Sequence, residues 1–288
     1  MDKKAKLMPY LAAVGTLFFW SSAFPAVKYA LDYFSPGALM LFRFLIASAV
    51  LIIYCVIKKV ALPAKKDLPM FVLCGLFGIF LYMWAFNAGT DLVPSGISGF
   101  IISAAPVFTL ILCIIFLKEK ASATIWVGVL ISFAGIVLIS ITQITEGFQM
   151  NAGVWLLLAA AVSTSIFIVI QRHLLKKYTS MQCTAYPIII GTIPMLIFAP
   201  ELATQLPKAT AAANITVVYL GVFPAAIAYF LWAYALSFAK KTVHITSFLY
   251  LSPFLASLMA FIWLGEVIPA LAYAGGVVVI IGMVLTRR

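Results

Sequence analysis

The chemistry within reach of this chain is recognition rather than bond making. It has no G-x4-G-K-[ST] run to cradle nucleotide phosphates and no H-E-x-x-H helix to hold zinc. Its four cysteines, Cys55, Cys74, Cys113 and Cys183, have none of the spacings of a metal site. No catalytic residue, metal or cofactor is therefore expected. The residues that could act are polar or bulky groups set singly in long apolar runs. Arg43 lies about seven residues into such a run, roughly 10 Å deep at 1.5 Å per residue. A guanidinium at that depth either grips an anionic group of a solute or clamps backbone carbonyls, and both uses stay open. Trp20 and Ser21 sit mid-run, as do Ser163 and Ser165 further along. Small hydroxyls there either let helices pack closely or face a cavity. Tyr82, Trp84 and Asn87 in one run answer Tyr229 and Trp232 in another, and Tyr250 stands close before Pro253. Aromatic walls with a few polar groups are the general make-up of small-molecule sites, and a buried Asn needs a hydrogen-bond partner. These eleven residues are the expected lining of a solute site. Pro106 and Pro253, each able to free a carbonyl and kink a helix, are the expected hinges.

Composition says what must position them. Of 288 residues, 65% are apolar and 9% are charged, against about 25% charged in a soluble domain. The mean hydropathy is +1.16. The chain divides into ten apolar segments at about 9–31, 36–57, 68–90, 95–116, 124–141, 153–174, 181–199, 214–238, 243–264 and 268–286. Segments of this length cross a bilayer as helices, because an open sheet edge cannot be satisfied in lipid. The expected fold is an all-α membrane protein of ten transmembrane helices. Lys3, Lys4 and Lys6 precede the first run with no small-residue cleavage site after it, so that helix is expected to stay as an anchor. With the N-terminus inside, 16 of the 19 Lys and Arg residues fall on the inner side and only Lys28 and Lys208 outside. The positive-inside rule then puts both termini in the cytoplasm. The basic residues form short clusters between spans, which reads as topology rather than as a nucleic-acid patch.

An internal repeat is written in the chain. Pro106 is followed thirteen residues on by Glu119, and Pro253 thirteen residues on by Glu266; the offset is 147 residues. It carries Gly128 onto Gly275 and Gly135 onto Gly282. One residue out of register, Trp84-Ala85-Phe86 answers Trp232-Ala233-Tyr234. Five spans per half is an odd number, so two repeats, 11–141 and 153–286, are expected upside down relative to one another. Inverted repeats place a solute site at the midplane between the halves.

These residues also carry a resemblance. W-S-S-A-F-P-A-V-K at 20–28, F-R-F-L-I-A at 42–47, L-W-A-Y-A-L at 231–236 and the Pro…Glu stretch followed by two glycines in both halves resemble the drug/metabolite transporter superfamily, in the branch built from two EamA domains. The resemblance covers nearly the whole chain. It implies export or exchange of small metabolites such as amino acids, or of drugs, across the cytoplasmic membrane. The partners expected are a small-molecule substrate and the lipid bilayer, with no nucleic acid, in a monomer or a homodimer. One departure is Lys118 before Glu119, where the family pattern has Gly. All eight acidic residues lie at helix ends or in loops. Proton-coupled carriers usually place a carboxylate or His in the path, so facilitated export or exchange by alternating access is expected. The competing readings are an integral-membrane enzyme or a channel.

Overall fold

The computed structural model describes residues 3–92, 95–141, 152–252, 254–255, 258–259 and 270–286. Every regular element among them is helical. In chain order they are α1 (Lys3–Leu31), α2 (Pro36–Ile57), α3 (68–92), α4 (Ser95–Ile102), α5 (Ala105–Phe116), α6 (Ala123–Ile141), α7 (Ala152–Leu174), α8 (Gln182–Gln205), α9 (Ala211–Ser237), α10 (Val243–Thr246, running on as a 3-10 turn over Ser247–Leu251) and α11 (Ala270–Leu285). Six helices are long and apolar enough to cross a membrane, and α5 and α6 are shorter apolar helices. The protein is a multi-span helical membrane protein. Side chains such as Ile53, Val56, Ile115 and Leu130 stand on its outer surface, where lipid is their natural solvent.

Local sequence explains the helix ends. Ser35 caps α2 by accepting from Ala38 N, with Pro36 in the first turn, and Thr210 caps α9 by accepting from Ala213 N. Lys59 and Lys118 end α2 and α5 at φ of 50° and 55°. That left-handed region favours glycine, and on the 147-residue offset the position of Lys118 is held by Gly265.

The expected fourth span is not one continuous helix. It breaks at Ser103 and Ala104 into α4 and α5. Pro106 lies in the first turn of α5, where its missing N–H leaves nothing unpaired, so it starts a helix instead of kinking one. Pro253 and Glu266 lie outside the described residues. Kinks appear elsewhere, as π-helical turns at Leu76–Leu81 in α3 and Gly221–Ile227 in α9, the second around Pro224.

The pairing of helices follows the repeat offset. α3 packs on α7, and α9 packs on α1. Helices α6 and α11 make one of the most extensive contacts among the described residues, and glycine makes it possible. A Cβ on Gly128 would lie 2.7 Å from the Gly282 carbonyl oxygen, and one on Gly135 would lie 2.7 Å from that of Gly275. Rising residue numbers on one helix meet falling numbers on the other, so the pair is antiparallel. Ser132 donates to Val279 O at 3.3 Å across the same contact, and these two positions are 147 residues apart.

The basic loops gather at one end of the bundle. There Asp67, in the turn leading into α3, meets Lys177 and accepts from Tyr178 OH. The Lys177 hydrogen bond, helped by that of Tyr178, holds the Asp67 carboxyl below its usual range. Arg172 donates to Leu236 O and Ala239 O, tying α7 to the end of α9. At the opposite end Lys28 Nζ reaches Thr90 O and Asp91 O at 3.3 Å, and Ser35 Oγ donates to Glu201.

Candidate functional site

A cavity of about 60 Å³ lies where α1, α2, α3, α4, α5, α7, α9 and α10 converge. At about 15 Å³ per water that is room for roughly four waters. Trp20, Phe24, Phe86, Phe167, Tyr229 and Trp232 make aromatic walls, and Arg43, Tyr82, Ser103, Thr164 and Ser252 supply polar groups. Trp20 meets Trp232 and Tyr229 with ring centroids 5.2 and 5.4 Å away, in tilted and edge-on arrangements that aromatic pairs favour.

Arg43 is the one charged residue in this lining among the described residues. It is 2% exposed. Its Nε donates to Leu220 O at 3.2 Å, and Nη1 lies 3.7 Å from Met83 Sδ. The local reason is Pro224, which has no N–H to return to the carbonyl four residues earlier, that of Leu220. No carboxylate answers the guanidinium, since the one ion pair among the described residues is Asp67–Lys177. Of five N–H donors, one serves the π turn and one touches sulfur. The residue itself is part of the cavity wall. Trp232 is on the same wall, and its indole N–H is buried without a partner among the described residues. The cavity thus offers hydrogen-bond donors and net positive charge within aromatic walls.

The π turns and the helix break also explain most of the polar residues picked out from the sequence. Ser163 Oγ donates to Phe77 O at 2.7 Å and Tyr229 OH to Gly78 O at 3.4 Å, both in the α3 π turn. Trp20 Nε1 donates to Pro224 O at 3.1 Å in the α9 π turn. Ser165 Oγ donates to Ala105 O at 2.9 Å, in the first turn of α5. Each serves a carbonyl near a break in regular helix, which is the condition under which irregular backbone survives at membrane depth.

Trp20, Arg43, Tyr82, Tyr229 and Trp232 are therefore brought together on the cavity wall. Ser21 stands beside it, 3.3 Å from both oxygens of Ser252. The remaining expected residues do not line it. Ser163 and Ser165 flank the residue that does, Thr164; neighbours on a helix are about 100° apart, so the two serines point to either side. Trp84 is 42% exposed on the outer face. The match of Trp84 with Trp232 was one residue out of register, and on the 147-residue offset Ala85 occupies the place of Trp232, so Trp84 is rotated off the cavity. Asn87 is 1% exposed and donates to Pro36 O at 3.2 Å, joining α3 to the start of α2. Tyr250 is fully buried against Leu110, Ile125 and Val279, away from the cavity. Sequence reasoning missed Met83, Phe86 and Phe167. Phe86 was recoverable as the residue four beyond Tyr82, on the same helix face.

With this geometry in view, the comparisons gain meaning. The description of the EamA-like transporter family matches residues 7–141 and again 151–288. The chain is 36% identical over 267 residues to the uncharacterized transporter YdfC of Bacillus subtilis, covering 93% of this chain and 87% of that one. It is 35% identical over 277 residues to a protein of Streptantibioticus cattleyicolor named a probable terminal-alkyne amino-acid exporter, covering 96% and 92%. A solved crystal structure, 19% identical, matches with a TM-score of 0.79 over 96% of this chain and 95% of its own, which speaks for the fold alone.

Proposed function

This chain belongs to the EamA-like transporter family, and on that premise we propose that its cavity carries small carboxylate-bearing metabolites, neutral α-amino acids foremost. The observation that supports this most is Arg43, a buried guanidinium on the cavity wall with more N–H donors than the contacts to Leu220 O and Met83 Sδ use and no counter-ion among the described residues. A solute carboxylate would supply the missing negative charge and accept a bidentate bond. An ammonium group would then meet the faces of Trp20, Tyr229 and Trp232, where a cation is attracted to the ring quadrupole. The S. cattleyicolor relative, by its name an amino-acid exporter, agrees with that chemistry.

The mechanism proposed is alternating access by two inverted five-helix repeats, 11–141 and 153–286. It draws support from the antiparallel α6–α11 pair and from the exchange of α3–α7 for α9–α1 under the repeat offset. The basic end of the bundle is assigned to the cytoplasm of the cell membrane, with both termini there, on the charge bias. Because the described cavity lining holds no carboxylate, export or exchange is preferred over proton-driven uptake.

The test is counterflow in proteoliposomes with a panel of neutral amino acids, their decarboxylated amines and organic cations, with and without a pH gradient. Saturable exchange of amino acids, absent for the amines and unmoved by the gradient, is expected. Transport of the amines with equal efficiency would overturn the reading.

A further inference from the structure

At the basic end, below the cavity, the Glu119 carboxylate accepts from Thr242 N at 3.0 Å and from Thr242 Oγ1 at 2.7 Å. Glu119 follows α5 and Thr242 precedes α10, so this contact fastens two helices at their ends. Two rows of residues run from the latch back to the cavity. On α5, Ala105 lines the cavity, and Thr109 and Cys113 continue the same face at four-residue steps towards Glu119. On the other side, residues three apart in a 3-10 turn eclipse one another. Ser252 and Leu249 line the cavity, and Thr246 extends their row towards Thr242. The two elements pack directly on each other.

The seam between them is closed but not apolar. Thr109 and Thr246 are fully buried with hydroxyls that have no partner among the described residues, and so are the neighbouring Ser247 and Tyr250. A buried hydroxyl without a partner is costly, and packed apolar side chains of the same size would avoid that cost. Four such groups beside one seam, leading from a solute cavity to a three-bond latch, make sense if the seam opens and they meet water or solute. We propose that the α5–α10 seam is the shut half of the solute path, that Thr109 and Thr246 line it when it opens, and that Glu119 holds it closed through Thr242. The cavity gives the solute its resting place; the seam gives it the passage between cavity and basic end. The proposal rests on the alternating-access reading of the family.

It is tested without any solute. Thr246→Cys and Thr109→Cys are made with the native cysteines kept, alone and combined with Glu119→Ala. Protein in liposomes is treated with a small methanethiosulfonate, and the rate at each site is followed by mass spectrometry of peptides. Ser132→Cys, inside the α6–α11 contact, is the reference for general loosening, and circular dichroism with a melting curve identifies variants that fold. Loss of the latch is expected to raise labelling at residues 109 and 246 about tenfold or more, as a loss of one charge-assisted contact would, with residue 132 unlabelled in both backgrounds. Unchanged rates at 109 and 246 after Glu119→Ala would overturn the proposal, and so would equal acceleration at 132. Because no transported compound enters the assay, its failure leaves the carboxylate reading to be judged on counterflow alone.

Discussion

Arg43 does two things in the structure, and a pair of substitutions separates them. Its Nε serves the Leu220 carbonyl, which Pro224 cannot serve, and the residue forms part of the cavity wall. Arg43→Ala removes a charge-assisted hydrogen bond of about 2 kcal/mol. At about 2–4 °C per kcal/mol for a domain of this size class, the melting temperature should fall by about 4–8 °C. Arg43→Lys keeps the charge but loses the planar fork, so a carboxylate solute should bind about 30-fold more weakly for a loss of about 2 kcal/mol. Pro224→Ala is the discriminating partner, because it returns an N–H to the Leu220 carbonyl through the ordinary i to i−4 helix bond. In the double variant Arg43→Ala with Pro224→Ala, the lost melting temperature should come back by at least half while affinity stays low. Melting curves and equilibrium binding of the best neutral amino acid, measured on the same preparations, read both quantities. Rescue of affinity together with stability would mean that Arg43 acts only through the backbone. Full affinity in folded Arg43→Lys would remove the guanidinium from the solute contact altogether.

Four further outcomes are expected. Trp232→Ala should lower transport at least tenfold, whereas Trp84→Ala, on the outer face, should leave it within about twofold; flux in proteoliposomes at equal protein checks both. Gly135→Leu should destabilise strongly, by about 3 kcal/mol or more, since even a Cβ would press on the Gly275 carbonyl at 2.7 Å; a melting curve at or above wild type would refute the close α6–α11 contact. Lys118→Gly should raise the melting temperature by a few degrees, as relief of a φ of 55° is worth about 1 kcal/mol; no change or a fall would show that Lys118 is not strained. Pro207→Cys in whole cells should react with an impermeant thiol reagent and Lys65→Cys should not; labelling at Lys65 would reverse the charge-based topology.

What the sequence determined alone was whatever depends on averages and periods. Apolar content and run length require helices in lipid, because backbone groups there have no other partner. The 147-residue offset, read from Pro106, Glu119, Gly128 and Gly135, already contained the positions that meet across α6 and α11. Arg43 was legible as a candidate because a charge at membrane depth is rare and costly, and Trp20, Tyr82, Tyr229 and Trp232 because aromatic walls with a few polar groups are the general make-up of small-molecule sites.

Tertiary structure decided direction and partner. A one-residue slip in aligning the repeats turned Trp84 by about 100° onto the outer face, and the same angle put Thr164 on the cavity wall in place of Ser163 and Ser165. No pattern in the chain marks where α3 and α9 loosen into π turns, because a π turn is the outcome of packing against neighbouring helices. The carbonyls of Phe77, Gly78, Leu220 and Pro224 lie in or beside those turns and accept from Ser163, Tyr229, Arg43 and Trp20. The latch between Glu119 and Thr242 joins residues 123 positions apart. Local physics could give each a helix end, but only the fold could bring the two ends together.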